Sequence, residues 1–150
     1  MVLAARFLIV NGLTETATRI EAVASLGEHC SAVLVAPDIA LTARHCLEAG
    51  LPAVTFTNGQ TSQPSGVYYP ESGDVALLYL PAHVDGVEPI RMLLSGAGHG
   101  VSIVLAGWGG EKRELRSCES VVTWSDPASY VMFPRWDDPL GPGCGPEHGD

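Results

Sequence analysis

The sequence predicts an all-β protein, on three observations. Seventeen glycines and eleven prolines are scattered along 150 residues, which interrupts the chain too often for long helices and marks many turns. The apolar runs between them are short and rich in Val, Leu, Ile and aromatics. Turn pairs such as Pro37-Asp38, Asn58-Gly59 and Ser72-Gly73 separate those runs.

In chain order, strands are expected at 19–26 (RIEAVASL), 30–36 (CSAVLVA), 39–43 (IALTA), 51–57 (LPAVTFT), 66–70 (GVYYP) and 75–80 (VALLYL). Six strands within the first ninety residues imply a small barrel or a sandwich. A small-residue linker, SGAGHG at 95–100, follows. Three more strands are expected at 101–107 (VSIVLAG), 115–124 (LRSCESVVTW) and 129–133 (SYVMF), and the tail DDPLGPGCGPEHGD reads as turn chemistry throughout. Three strands do not close a barrel, and an open sheet leaves edge N–H and C=O groups unpaired. The second half is therefore expected to be incomplete as a folding unit. The domains expected are residues 1–8 as a leader remnant or precursor segment, 9–94 as the first barrel, and 95–150 as linker plus partial second barrel.

Composition narrows the function. At 46% hydrophobic the chain is globular. Its formal charge of −9, with no basic run, argues against nucleic acid as a partner. No apolar stretch reaches the roughly 18 residues of a membrane-spanning helix, since MVLAARFLIV stops at Asn11-Gly12. The first ten residues lack a distinct basic segment and a small-residue cleavage site. Four cysteines, Cys30, Cys46, Cys118 and Cys144, allow three pairings if all are oxidised. A Cys30–Cys46 bridge would close about 16 residues and stabilise the fold by roughly 3 kcal/mol in the chain-entropy model. Disulfides favour an oxidising compartment, so a secreted or periplasmic location is expected.

CSAVLVAPDIALTARHC at 30–46 resembles the segment of trypsin-like serine proteases that runs from a cysteine through two strands to "LTAAHC". GDVALLYL at 73–80 is similar to that family's "DIALLxL", and VLAGWGG at 104–110 to its "VAGWG". IVNG at 9–12 resembles the "IVGG" that opens the mature protease, and the terminal HGD resembles the start of "GDSGGP" without its serine. The markers occur in the family's order. They imply a trypsin-like double β-barrel, its first six-stranded barrel complete and its second only partly present.

The resemblance implies residue roles as well. His45 would be the general base, because an imidazole takes up and returns a proton near neutral pH. Asp74 would accept from the other ring nitrogen and hold the tautomer, kept partly desolvated by the VALLYL strand. Cys46, bridged to Cys30, would fix the backbone beneath His45, and Cys144 would bridge to Cys118 or to a cysteine outside this sequence. Gly149 matches the glycine whose N–H helps form an oxyanion hole. The nucleophilic serine would follow Asp150, so a complementary carboxy-terminal segment is expected to supply it with the remaining strands, and the chain alone is expected to be inactive and prone to associate. Ile9 and Asp150 correspond to the family's activating ion pair, although Leu8 stands where an activating protease would need Arg or Lys. Arg44, where the family has alanine, sets a fixed positive charge beside the base.

The implied function is serine-type endopeptidase activity on polypeptide substrates, without cofactor or metal. The alternative is a noncatalytic homologue that binds a partner protein through its loops. A third reading is a zinc site from His29, Cys30, His45 and Cys46, whose residue types are ligands but whose spacing is not that of paired zinc ligands.

Overall fold

The computed structural model describes residues 2–3, 9–10, 13–14, 20–92, 102–109, 114–121 and 145–146. These residues build three sheets and almost no helix. In chain order the strands are β1 (Val2–Leu3), β2 (Ile9–Val10), β3 (Leu13–Thr14), β4 (Val23–Leu26), β5 (Cys30–Ala36), β6 (Ile39–Thr42) and β7 (Val54–Thr55). They continue with β8 (Thr61–Ser62), β9 (Gly66–Tyr68), β10 (Ala76–Tyr79), β11 (Ser102–Gly109), β12 (Glu114–Val121) and β13 (Gly145–Pro146).

The main sheet is antiparallel, in the order β8-β7-β4-β5-β6-β10-β9. All six expected strands of the first barrel are present, and β8 adds a seventh. Several are shorter than expected, for identifiable reasons. Pro52 and Pro70 have no N–H to give a ladder, so β7 begins at Val54 and β9 ends at Tyr68. The two ends of the sheet, β8 and β9, are consecutive in the chain and joined by Gln63-Pro64-Ser65 alone. Four Cα–Cα steps reach at most about 14 Å, so the sheet curls until its edges are near one another. This is the curvature of a barrel wall.

The core explains the unbroken apolar run of β5. Alternation sends Ala32 and Leu34 to one face of the sheet and Ser31 and Val33 to the other, and all four are buried. A strand covered on both sides reads as continuous rather than alternating. One side holds the curled sheet's interior and the other is met by the second sheet. Ala106 and Leu115 from that sheet belong to the same buried cluster as Val23, Leu34, Val54, Phe56 and Leu78, with Trp108 packed against it. Trp108 also fixes the docking by hydrogen bonds: its backbone N–H donates to Ser31 Oγ at 2.8 Å and its indole N–H to the Val23 carbonyl at 3.1 Å. The VLAGWGG stretch is thus the clamp between the sheets. Leu34 is fully buried, so Leu34→Ala is expected to cost about 2–5 kcal/mol, measured as a fall in the urea midpoint with an unchanged slope.

The second sheet has the order β1-β11-β12-β3. Its centre is the expected hairpin, with Ser102 opposite Val121 and Gly109 opposite Glu114. Sequence order and sheet membership part company at the amino terminus. β1 pairs in parallel with β11, and β3 pairs with the far edge of β12 through Leu13↔Ser117 and Thr14↔Arg116. Residues that precede β4 therefore cover part of both edges that the hairpin would otherwise leave open. The tail is not turn throughout either: β13 pairs with β2, Gly145 opposite Val10 and Pro146 opposite Ile9. The strand expected at 129–133 lies outside the described residues.

Candidate active site

The register of β6 with β10 brings the two principal residues together. Thr42 faces Ala76, the last pair of an antiparallel ladder that runs from Ile39↔Tyr79. Beyond that pair the chain leaving β6 and the chain entering β10 continue side by side. His45 lies three residues past Thr42, and Asp74 two residues before Ala76. A separation of 29 positions in sequence is thereby reduced to direct contact.

Local structure holds His45 in place. Residues Arg44–Leu47 form a single 3-10 turn, entered from Ala43 in an extended conformation without a side-chain cap. The first N–H groups of such a turn lack internal partners. Asp74 supplies one: its Oδ1 accepts from the His45 backbone N–H at 2.9 Å. Asp74 Oδ2 meets the same residue's Nδ1 in a short contact. One carboxylate therefore grips both the backbone and the ring of His45. A carboxylate only accepts, so Nδ1 carries the hydrogen and neutral His45 keeps a lone pair on Nε2. Thr42, buried at the end of β6, donates from Oγ1 to the Ser31 carbonyl at 2.9 Å and anchors the strand just before the turn.

Cys46 is bridged to Cys30, with 6.0 Å between the Cα atoms, so the turn is tied covalently to the start of β5. This is the pairing that the resemblance implied. The bridge spans 16 residues, and replacing both cysteines with alanine is expected to lower stability by about 3 kcal/mol, read from chemical denaturation. Cys46 Sγ lies 3.5 Å from His45 Nε2. His29 extends into solvent near Glu28 and is not part of this cluster.

The His45 side chain is 22% exposed and that of Asp74 56%. The aspartate is partly desolvated, as its place before VALLYL implied, and it stands on the bend that precedes β10, which begins at Ala76. Partial burial raises the Asp74 pKa, but the His45 N–H, the His45 ring with its charge and the Arg44 N–H together outweigh it and hold the group below its ordinary value of 3.8. A depressed native pKa stabilises the fold fully above the unfolded value, and that contribution is lost as pH falls through the native one. The difference in Tm between wild type and Asp74→Asn is therefore expected to shrink on acidification below the ordinary 3.8, as followed by calorimetry.

Arg44 packs over a neighbouring aromatic ring. Its side chain is exposed, with the guanidinium carbon 5.1 Å from the centre of the Tyr69 ring, a cation–π distance. Nothing in the sequence pattern linked Arg44 to Tyr69. Gly149 and Asp150 lie outside the described residues, as do the side chains of Ile9, Cys118 and Cys144. Among the described residues, no helix is long and apolar enough to cross a membrane.

Known proteins share this fold. The family model described as Trypsin matches residues 9–127. Among solved structures, human heparin binding protein superposes with a TM-score of 0.68 at 20% identity, covering 79% of this chain and 69% of that one. An atomic-resolution structure of HBP gives 0.67 at 21% identity, with 77% and 66% covered. The chain thus spans about two thirds of the length of these structures. No curated protein matches the sequence. With the family match running from β2 through both halves of the fold, including the His45 turn, the bend of Asp74 and the Trp108 clamp, the chain belongs to the trypsin family.

Proposed function

We propose that this chain carries the base and orienting residues of a serine endopeptidase whose nucleophile is a serine following Asp150. The observation that supports this most is the double grip of Asp74 on the backbone and ring of His45. A surface ion pair needs only one such contact, whereas a general base needs a fixed tautomer and a fixed ring plane. The anchors beneath it, the Thr42–Ser31 bond and the Cys30–Cys46 bridge, limit drift of the turn.

In the proposed reaction His45 Nε2 removes the serine hydroxyl proton as the oxygen attacks the scissile carbonyl. Negative charge gathers on the carbonyl oxygen, where the N–H of Gly149 donates. The imidazolium, steadied by Asp74, returns the proton to the leaving amine. Water then releases the acyl group by the same steps, again with His45 as base. Substrates are polypeptides, and a secreted or periplasmic setting suits the disulfide.

The alternative, a noncatalytic homologue that binds a partner protein, draws support from the contact of His45 Nε2 with Cys46 Sγ at 3.5 Å, which places the base nitrogen against the disulfide. Heparin, named for the structural neighbours, is disfavoured as a ligand here by a formal charge of −9. Labelling with a fluorophosphonate, which phosphonylates only activated serines, separates the two readings. The proposed protease, this chain joined to a serine after Asp150, is expected to take up one label on that serine, and a His45→Ala version none. A folded wild type that takes up no label would favour the binding role.

A further inference from the structure

We infer that Cys30, His45 and Cys46 form a latent zinc site that opens when their disulfide is reduced. The Sγ atoms of Cys30 and Cys46 and a ring nitrogen of His45 all lie within 4.8 Å of one another. A tetrahedral zinc with Zn–S near 2.3 Å and Zn–N near 2.05 Å requires an S···N edge of about 3.6 Å. Cys46 Sγ and His45 Nε2 are already 3.5 Å apart. The other ring nitrogen is held by the Asp74 carboxylate, the outer-shell arrangement that orients a zinc-bound imidazole and raises its basicity. One edge of the polyhedron and its outer support thus exist before any metal arrives.

In the oxidised protein both sulfurs are bonded to each other and neither is a thiolate. A dithiol reductant changes this. Its two thiols become a disulfide, two electrons pass to the protein, the Cys30–Cys46 bond breaks, and each cysteine takes one proton. Binding of Zn2+ releases those two thiol protons to solvent. The sulfurs must part to about 3.8 Å, the S···S edge of the same tetrahedron, which rotation of the two side chains supplies because the Cα atoms are 6.0 Å apart. Both cysteines are half-buried, so the bridge is within reach of a small reductant. Two cysteines and one histidine leave a fourth position open to water, a donor set that holds zinc in enzymes.

The metal restores the crosslink between β5 and the His45 turn that reduction removes. It also takes the Nε2 lone pair, so a zinc-loaded chain has no general base. That regulatory consequence rests on the protease reading; the metal site does not.

The test uses Co2+ as a spectroscopic probe in a Cys118→Ser/Cys144→Ser background, reduced with a dithiol that is then removed without air. We expect a thiolate-to-cobalt band with tetrahedral visible bands, saturating at one equivalent and displaced by Zn2+. His45→Ala is expected to weaken Co2+ binding at least tenfold, and Asp74→Asn by roughly tenfold or more. The oxidised chain is expected to give no such band. If the double-serine background does not fold, the wild-type chain carries the same comparison with His45→Ala. Absence of a saturable tetrahedral spectrum overturns the inference, as does equal affinity in the His45→Ala chain. So does a reduced chain that loses its β-sheet circular dichroism and does not recover it with Zn2+. Fluorophosphonate labelling of the oxidised protein is independent of all these readouts, so failure of one reading leaves the other standing.

Discussion

In the serine endopeptidase proposed above, replacing His45 with alanine is expected to lower kcat by about six orders of magnitude, the scale of removing the histidine from a serine protease triad. The loss falls on kcat because the imidazole acts on protons that move only in the transition state. KM is expected to stay within a few-fold. The fold is expected to survive, because the bond to Asp74 Oδ1 comes from the backbone N–H of residue 45 and not from the ring. The freed Oδ2 belongs to a side chain that is 56% exposed and can rehydrate. Peptide hydrolysis and thermal unfolding measured on the same preparation separate a lost base from a lost fold. Turnover within tenfold of wild type in a folded His45→Ala protein would remove His45 from the mechanism.

The part of the fold that was legible in the sequence is the part written in runs long enough to carry a pattern. β5, β6 and β10 are apolar segments of four to seven residues, each bounded by turn chemistry, and their antiparallel order follows from the short connections between them. Once the order β6 beside β10 is granted, the encounter of His45 with Asp74 follows from ladder geometry. β1, β2, β3 and β13 are two residues long. Two residues have no period, so nothing local marks them as strands, and their partners lie about a hundred or more positions away. The edges left by the β11–β12 hairpin define where β1 and β3 go, and β2 and β13 pair with each other in a separate sheet.

The site was legible in its reacting groups and less so in its supports. Histidine, aspartate and cysteine announce their chemistry by type, whereas Ser31 and Thr42 look like ordinary polar residues within apolar runs. The bond of Thr42 to Ser31 emerges only when β5 and β6 pair, and the bond of Ser31 to Trp108 only when the two sheets meet. One signal was available in retrospect: a serine inside CSAVLVA requires a partner if the strand is covered on both faces.

Asp74→Asn tests the arrangement at the level of a single hydrogen. Asparagine keeps an oxygen that can accept from the His45 backbone N–H, so the 3-10 turn retains its cap. Its other terminal atom becomes an NH2 group facing Nδ1, where wild type has the accepting Oδ2. A donor there excludes hydrogen from Nδ1 and drives it to Nε2, the atom that must hold a lone pair to act as base. Turnover is accordingly expected to fall by about four orders of magnitude with little change in KM. The tautomer can be read directly from the imidazole nitrogen shifts of His45, without any substrate. Wild type is expected to show hydrogen on Nδ1 and the variant hydrogen on Nε2, with matching backbone amide spectra elsewhere. A purely structural carboxylate predicts the opposite: equal tautomers, equal turnover, and a difference confined to stability. Near-normal kcat in Asp74→Asn would therefore leave Asp74 as a cap for the turn and take the orienting role from it.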